Sequence, residues 1–254
     1  MLLVLDVSNT STKFGVYDGE RLVGSWRVNT DVRQTADEYG ILLSRLIEGT
    51  VQQGAISDCI MSSVVPPLNA TFLEMAERCF GLECLVVSHQ LDLGLAFRTE
   101  DPAETGADRI VNSLAAYKIY GGPCIVVKFG TATTFDAVSA DGAFLGGAIA
   151  AGPRLSLDAL AARAARLYTV ELRAPPRAIS TTTTGNLQSG VVWGYVGLIE
   201  GLVARFKAEL GPVKAVVATG WEAQFYGPLT AAIDVVNPNL TLEGLRLACE
   251  ALRR

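Results

Sequence analysis

Two short segments of small and hydroxyl side chains, residues 8–12 and 130–134, each follow a strand-like apolar run and could hold phosphate groups. Turns of this kind leave backbone N–H groups exposed and add hydroxyl donors, so they can wrap phosphate oxygens. Asp6 ends the strand before the first turn, where a carboxylate suits a hydrated Mg²⁺ that also binds phosphate. The alternative is that Asp6 and Asn9 only close the turn through side-chain hydrogen bonds.

A larger set of residues around these turns is predicted to contact the phosphates of a nucleotide. It comprises turn residues, residues at the adjoining strand ends and a glycine after a later strand: Asp6, Asn9, Thr10, Thr12, Lys13, Gly130, Thr131, Thr133 and Gly220. Gly220 ends the strand-like run AVVATG, and a glycine there would let a nucleotide approach the backbone.

Asp108 is a second carboxylate that could act in catalysis. The segment TGAD at residues 105–108 fits a capping box, which would place Asp108 in the first turn of a helix. A carboxylate held there could also accept the proton of a substrate hydroxyl, so the two interpretations are compatible. In phosphoryl transfer such a base mainly orients the nucleophile. Arg109 either forms an ion pair at the surface or binds a substrate carboxylate through two parallel N–H groups of its guanidinium.

The histidine and cysteine content disfavours several other kinds of chemistry. His89 is the only histidine, so any Ser-His-Asp or Cys-His mechanism would depend on that residue. The five cysteines are odd in number and form no CxxC pair, which favours buried, reduced thiols over zinc or disulfides. Catalysis therefore has to rest on carboxylates, hydroxyls, lysines, backbone dipoles or a metal.

Composition and charge predict a cytoplasmic protein. The net charge is −5 and no basic stripe occurs, which argues against nucleic acid as a partner. The first residues lack a basic region and Asp6 interrupts the apolar run, so we expect no signal peptide. No run approaches the roughly 20 apolar residues that span a bilayer, so no membrane is expected.

The elements that would position these residues can be read along the first half. Three antiparallel strands are predicted first, with a hairpin turn at Asp18-Gly19. A helix follows from Thr35, which Glu38 would complete as a capping box. A strand stopped by Pro66-Pro67, a helix over about 68–80 and another strand come next. A further helix runs from near Gly106 to Tyr120.

The opening pattern then returns, which predicts two related halves. The segment CIVVKFGTATTFDAVSADGAFLGGAIA again reads strand, small-residue turn, strand, Asp-Gly turn and strand. Laid over the first segment, it places Lys128 on Asp6 and Thr134 on Thr12. Chance similarity of short hairpins is the alternative. Two such turns in a duplicated chain, facing each other across a cleft, are how actin-like and hexokinase-like phosphotransferases grip ATP.

The later elements are mainly helical. An Ala-rich helix is predicted near 155–167, a glycine-containing helix within 185–210, and a last helix from Thr241. Repeated glycine in a helix suggests close packing against another element. We therefore expect a homodimer in which the helix near 188–208 packs against its mate, with packing inside one chain as the alternative.

Six ordered segments give this chain a specific resemblance. They are TADEYG at 35–40, SSVVPPL at 62–68, GADRIVN at 106–112, FGTATTFD at 129–136, FLGGAIA at 144–150 and QSGVVWGYVGLIEG at 188–201. Together they resemble the type III pantothenate kinases. The resemblance implies an α/β chain of two duplicated ribonuclease H-like domains with the actin-like ATPase fold, each a mixed five-stranded sheet flanked by helices. The domains would be 1–118 and 119–254, with the last helix in the second domain or packed back on the first.

The resemblance also implies an activity and its participants. ATP would phosphorylate pantothenate to 4'-phosphopantothenate, the first step of coenzyme A biosynthesis, with Mg²⁺ and a monovalent cation, K⁺ or NH₄⁺. Asp6 matches the aspartate for metal and phosphate, and Asp108 the general base. The residues that match the pantothenate pocket are Thr99, Gly106, Ala107, Asp108 and Arg109, with Thr183 supplied by the partner subunit.

The chain departs from the family pattern at a central position. Lys128 stands where the family has an aspartate near the phosphates and the monovalent cation. Its ammonium could replace that cation, pair with Asp6 and block Mg²⁺, or bend into solvent. Milder departures are Ser8, Thr99, Ala151 and Trp221. A kinase acting on pantothenate, an impaired paralogue that binds a ligand or partner, and a kinase for another small molecule thus stay open.

Overall fold

The computed structural model describes residues 1–52 and 54–253, which form two compact units. The first unit contains residues 1–118 and the described chain from Asn239 onward, and the second contains residues 119–238. The sequence left the position of the last helix open between two domains. Contacts place that helix in the first unit.

The sheet of the first unit has five strands in the order β3-β2-β1-β4-β5. Their bounds are β1 Leu2–Val7, β2 Ser11–Asp18, β3 Arg21–Asn29, β4 Asp58–Ser63 and β5 Cys84–Val86. The first three strands are antiparallel neighbours, and β4 and β5 run parallel to β1. The predicted meander is confirmed, and the sheet is mixed.

Helices cover both faces of this sheet. On one face α1 (Ala36–Ile47) and α2 (Pro66–Phe80) pack over a core that includes Leu3, Phe14 and Phe72. The capping box of α1 is confirmed, because Thr35 Oγ1 accepts from Glu38 N at 3.3 Å and Glu38 Oε2 accepts from Thr35 N at 2.7 Å. Helix α2 begins two residues earlier than predicted, since its prolines occupy positions whose N–H groups need no partner.

The other face carries α3 (Ala107–Tyr120) and the C-terminal helix α7 (Leu240–Leu252). A Cβ at Gly15 would lie 2.9 Å from Leu242, and one at Gly244 would lie 2.1 Å from the carbonyl oxygen of Val111. Side chains larger than hydrogen would therefore separate α7 from the sheet and from α3. The two glycines allow α7 to close this face.

The sheet of the second unit repeats the topology of the first. Its order is β10-β9-β6-β7-β8, with β6 Cys124–Phe129, β7 Ala132–Val138, β8 Phe144–Ala151, β9 Ala215–Gly220 and β10 Val235–Val236. The predicted duplication is confirmed, but its register was wrong by one residue. Val7 pairs with Thr12 and Phe129 with Thr133, so Thr133 and not Thr134 is the counterpart of Thr12. The second turn is one residue shorter than the first.

The helices of the second unit are α4 (Pro153–Arg163), α5 (Thr183–Leu210) and the short α6 (Ala223–Tyr226). Aromatic rings fill the core beneath them. The rings of Phe129 and Tyr226 stack with centroids 5.4 Å apart, and Tyr195 lies 5.3 Å from Tyr226. Burial of this kind contributes about 2 kcal/mol per side chain, so the aromatic cluster fixes α5 and α6 against β6.

Helix α5 is unusually long and apolar. Within the described residues it is the one helix long and apolar enough to cross a membrane, and 44% of its most apolar window is buried inside the protein. Its buried residues, such as Val192 and Ile199, belong to the core of the second unit. The same composition occurs in core helices of soluble proteins, so the finding is weak evidence for a membrane.

All five cysteines are free thiols. Four are buried as expected, but Cys79, near the end of α2, is exposed. Cys59 and Cys84 are directly paired on β4 and β5, with their Sγ atoms 2.8 Å apart. Within residues 1–52 and 54–253 no cluster of three or more His, Cys, Asp or Glu side chains could hold a metal ion.

Candidate active site

A row of polar residues crosses the first sheet at the end of β1. Asp6 pairs with Lys13 on β2 and with Ser62 on β4. Residues directly opposite one another project from the same face, and this is the face that α7 covers. Asp6 is only 8% exposed. The sequence predicted Asp6 and Lys13 for this site and missed Ser62, whose fully buried hydroxyl has no partner among the described residues.

Lys13 is held by the segment that begins α7. Its Nζ donates to Asn239 Oδ1 at 2.8 Å. The pKa of Lys13 is lowered from its ordinary 10.5 to about 8, first by burial and then by Arg27, while Asp6 and Glu243 act in the opposite direction. Because Lys13 is largely buried, its ammonium is poorly hydrated and could pair with an incoming phosphate. Asn239 was missed because it is distant from Lys13 in sequence.

The buried ammonium of Lys13 has a measurable effect on stability. In the folded chain Lys13 loses its proton near pH 8, and in the unfolded chain near 10.5. Stability therefore rises between these two values, because the unfolded chain binds more protons there. Lys13→Met should raise the free energy of unfolding at pH 7 by about 1 kcal/mol, discounted for partial exposure.

Urea unfolding of wild type, Lys13→Met and the exposed control Lys118→Met would measure this effect at pH 7, 9 and 10. The advantage of Lys13→Met should shrink as the pH rises from 8 towards 10.5. An advantage that stays constant across this range would contradict the assignment. Lys118→Met should follow the wild type.

The first hydroxyl-rich turn is anchored at its base and open at its tip. Ser8 Oγ donates to Asp6 Oδ1 at 3.4 Å, and Thr30 Oγ1 donates to the Ser8 carbonyl at 2.7 Å. The Thr12 hydroxyl is buried and lies 2.9 Å from Thr30 Oγ1. Thr12 therefore stabilises the turn, whereas Asn9 and Thr10 are exposed. Side-chain hydrogen bonds close the base of the turn, and its tip is exposed. The turn is therefore compatible both with a structural role for Asp6 and with phosphate binding.

The site fits Mg²⁺ held mainly through phosphate. Asp6 supplies one buried carboxylate at the strand end, and the Ser8 hydroxyl is hydrogen-bonded to it. A hydrated Mg²⁺ commonly uses one or two carboxylates together with substrate phosphates. The donor set around Asp6 therefore suits a metal that arrives with a nucleotide, and not one held in a cage of protein ligands.

Asp108 occupies the start of α3. It is 9% exposed, and its Oδ1 accepts a 2.9 Å hydrogen bond from the N–H of Arg109. Gly106 precedes the helix, and a Cβ there would lie 2.8 Å from Asp108 Oδ1. Glycine at this position therefore leaves room for the carboxylate. Thr99, also predicted for the substrate pocket, has a buried Oγ1 without a partner among the described residues.

A cavity adjoins this helix start within the first unit. Its volume is about 320 Å³, and it is lined by Ser63, His89, Glu104, Gly106 and Ala107 among others. The pocket brings together Gly106 and Ala107, which the resemblance assigned to substrate. His89, which the sequence gave no function, lies on its wall.

The second hydroxyl-rich turn is built by close backbone packing. Gly152 N donates to the Thr131 carbonyl at 2.9 Å, and a Cβ at Gly152 would lie 2.3 Å from the Gly130 carbonyl oxygen. Thr131 is exposed and Thr133 is fully buried. Gly220 has φ +93°, and a Cβ there would lie 1.9 Å from the Phe129 carbonyl oxygen. Glycine is thus required at position 220 by the protein backbone itself.

Lys128 lies at the end of β6, opposite Thr134 and Thr219. It is 9% exposed, which disfavours the alternative in which its side chain bends into solvent. Asp136 is fully buried on the same face of β7, where its Oδ2 accepts from Thr134 Oγ1 at 3.2 Å. A buried carboxyl group on this face is a suitable neighbour for a cation at position 128. The Lys128 ammonium leaves no place here for a separate monovalent cation, because the two positive charges would repel each other.

One ion pair near this turn was not predicted. Arg154 Nε donates to Glu222 Oε1 at 2.8 Å, and Glu222 is 5% exposed. This ion pair links the start of α4 to Glu222, which lies two residues after Gly220. No sequence signal indicated it, because the partners lie far apart along the chain. Thr183, predicted to act in a partner's pocket, is the exposed first residue of α5, and Thr182 caps that helix.

Comparison with solved structures identifies the fold. The chain is similar to the activator of 2-hydroxyisocaproyl-CoA dehydratase from Clostridium difficile with bound ADPNP, at 13% identity and a TM-score of 0.56, covering 99% of this chain and 96% of that one. It is also similar to the ROK hexokinase from Thermus thermophilus, at 15% identity and a TM-score of 0.51, covering 97% of each. The two repeated sheets with their hydroxyl-rich turns thus define a protein of the actin-like ATPase and sugar kinase fold.

Comparison of sequences gives the family. The sequence model of type III pantothenate kinase matches residues 2–205. The type III pantothenate kinase of Roseiflexus castenholzii is 50% identical over 255 residues, covering 100% of both chains. That of Moorella thermoacetica is 47% identical over 254 residues, covering 98% of this chain and 99% of its own. The chain belongs to the type III pantothenate kinase family.

Proposed function

We propose that this protein transfers the γ-phosphate of ATP to pantothenate, giving 4'-phosphopantothenate for coenzyme A synthesis. The observation that carries the proposal is the full-length identity of about half to a type III pantothenate kinase. Asp6, Asp108 and Arg109 keep the residue types that the resemblance requires. No observation within the described residues favours the impaired paralogue.

Asp108 would receive the proton of the hydroxyl that attacks the phosphate. Its carboxylate is fixed by the Arg109 N–H group, so one oxygen is oriented before substrate binds. Arg109 is half-buried, and its guanidinium suits the carboxylate of pantothenate because two parallel N–H groups match two oxygens. Thr99, Gly106 and Ala107 would complete the pocket, and Thr183 would enter the pocket of the partner subunit.

Each of the two hydroxyl-rich turns would contact phosphate groups of ATP. Asn9, Thr10 and Thr131 present exposed donors, and Lys13 adds a positive charge. Mg²⁺ bound at Asp6 would neutralise charge that develops on the phosphate oxygens. Gly130 and Gly220 keep the second turn close to β6, while Thr12 and Thr133 support the turns from beneath.

Lys128 would supply the positive charge that the family takes from K⁺ or NH₄⁺. A lysine ammonium is a compact charge that binds phosphate, and here it is covalently attached and buried. Activity would then need no added monovalent cation. The proposal extends to two ribonuclease H-like domains corresponding to the two compact units, and to a location in the cytoplasm.

A coupled assay of ADP release tests the proposed function. Release should depend on both ATP and pantothenate and should stop when Mg²⁺ is chelated. ADP release that is the same with and without pantothenate would contradict the proposal. Mass detection of a phosphorylated pantothenate separates transfer from plain ATP hydrolysis.

The outer face of α5 supports a homodimer. A Cβ at Gly190, Gly194 or Gly197 would meet no atom within 4 Å, so chain packing does not explain these glycines. Gly190 and Gly194 border an apolar groove of about 460 Å³ that also contains Leu160 and Leu198. An apolar face of this kind on a monomer is unusual. A second copy of α5 would cover it.

Light scattering at micromolar concentration should therefore give the mass of a dimer. Gly194→Glu should give monomers, because it places a charge on the open face while improving helix propensity. Ala140→Glu, in an exposed turn of the same unit, should leave the dimer intact. A monomeric wild type would exclude this assembly.

A further inference from the structure

Asn112 has a fully buried side-chain amide whose two ends differ. Its Oδ1 accepts a 2.8 Å hydrogen bond from Thr241 Oγ1 in the first turn of α7. Its Nδ2 has no hydrogen-bond partner among the described residues, and Asn112 is 0% exposed. A buried donor without an acceptor is destabilising. Stability alone therefore does not explain an asparagine here.

The hydrogen bond from Thr241 fixes the direction of the amide. Oδ1 and Nδ2 are bonded to the same carbon and point apart, so holding Oδ1 against α7 turns Nδ2 away from α7. In the structure the acceptor end of Asn112 faces α7 and its donor end faces away. An acceptor for Nδ2 therefore has to come from groups on or near α3.

Asp108 is the acceptor at the appropriate spacing. Asp108 and Asn112 are four residues apart on α3, and such residues lie on one helix face a turn apart. Asp108 Oδ1 is already occupied by the Arg109 N–H group. A donor from the next turn would approach the carboxyl group from the buried side and leave its outer side for substrate.

We propose that Asn112 is a positioning residue for Asp108, whose carboxylate accepts a hydrogen bond from Nδ2 in the substrate complex. The second function of this bond is to hold the carboxylate ionised, since donors to the charged form favour it. The proposal rests on the proposed function, because it is the base role of Asp108 that needs positioning. Asn112 itself touches neither substrate.

Asn112→Leu tests this, because leucine is close in volume and removes both polar ends. Turnover (kcat) should fall about tenfold, which corresponds to about 1.4 kcal/mol, while the KM values and the affinity for ATP change less than about twofold. Thr241→Val should cause a smaller loss, and Thr241→Ser should restore the wild-type rate because it restores the hydroxyl.

The matched control is Ser113→Ala. Ser113 is the next residue of α3, is equally buried, and its Oγ also has no partner among the described residues. It lies about 100° around the helix from Asn112, away from the face of Asp108. Turnover of this variant should equal that of the wild type, with thermal unfolding used to confirm that each variant is folded.

A double variant decides whether Asn112 acts through Asp108. In an Asp108→Asn background, Asn112→Leu should cause no further loss of turnover. Equal losses in both backgrounds, or an unaffected Asn112→Leu beside an active wild type, would contradict this inference alone. Absence of pantothenate-dependent turnover in the wild type would contradict the proposed function and, with it, this inference.

Discussion

Asp108→Asn is expected to lower turnover about 100- to 1,000-fold, within the range that general bases contribute. The substitution keeps the size of the side chain and its ability to accept from the Arg109 N–H group. It removes the negative charge that receives the proton of the attacking hydroxyl. ATP should still bind, since the phosphate turns and Lys13 are unchanged.

The chain provides a matched control for this substitution. Asp37 is the second residue of α1, as Asp108 is of α3, and it is exposed at the helix start. Asp37→Asn therefore makes the same chemical change at the same helical position away from the site. Both variants should unfold at similar temperatures, and only Asp108→Asn should lose turnover. Equal turnover in the two would leave Asp108 with a capping role.

Lys128→Asp is expected to make activity depend on K⁺ or NH₄⁺. The wild type should turn over at rates within about twofold in potassium and in tetramethylammonium buffers, because its ammonium is built in. The variant should lose at least about tenfold in activity without K⁺, since removing one stabilising charge at a transition state has effects of this size or larger. Added K⁺ should restore it.

Lys128→Met separates charge from cation binding. It has neither the ammonium nor a carboxylate to hold K⁺, so its turnover should be low in every salt. If the wild type turned over only with added K⁺, the proposal that the Lys128 ammonium replaces the monovalent cation would be disproved. An inactive wild type that gains activity on Lys128→Asp would support the alternative in which Lys128 blocks Mg²⁺ binding.

Local signals predicted much of each unit. Hairpin turns at Asp-Gly, the capping box at Thr35, and apolar periodicity gave the strands and helices of the first half nearly as observed. The repeat of small-residue turns predicted that the second sheet copies the first. These features depend on neighbours in sequence, so the sequence carries them directly.

The sequence could not predict contacts between distant segments. The one-residue difference between the two turns changes which threonine matches Thr12, and only strand pairing shows it. Asn239, which holds Lys13, and Thr241, which holds Asn112, come from a helix that the sequence could not assign to either half. The burial of Lys128 likewise depends on packing, because a strand-end lysine has no local feature that fixes its exposure.

The place of α7 in the first unit has a consequence for synthesis on the ribosome. The second unit is one continuous stretch, residues 119–238, so it can fold as soon as that stretch has emerged, as domains commonly do during translation. The first unit begins earlier but stays incomplete until α7 arrives. Asn239 and Thr241 reach Lys13 and Asn112 only then, so the half that is translated first matures last.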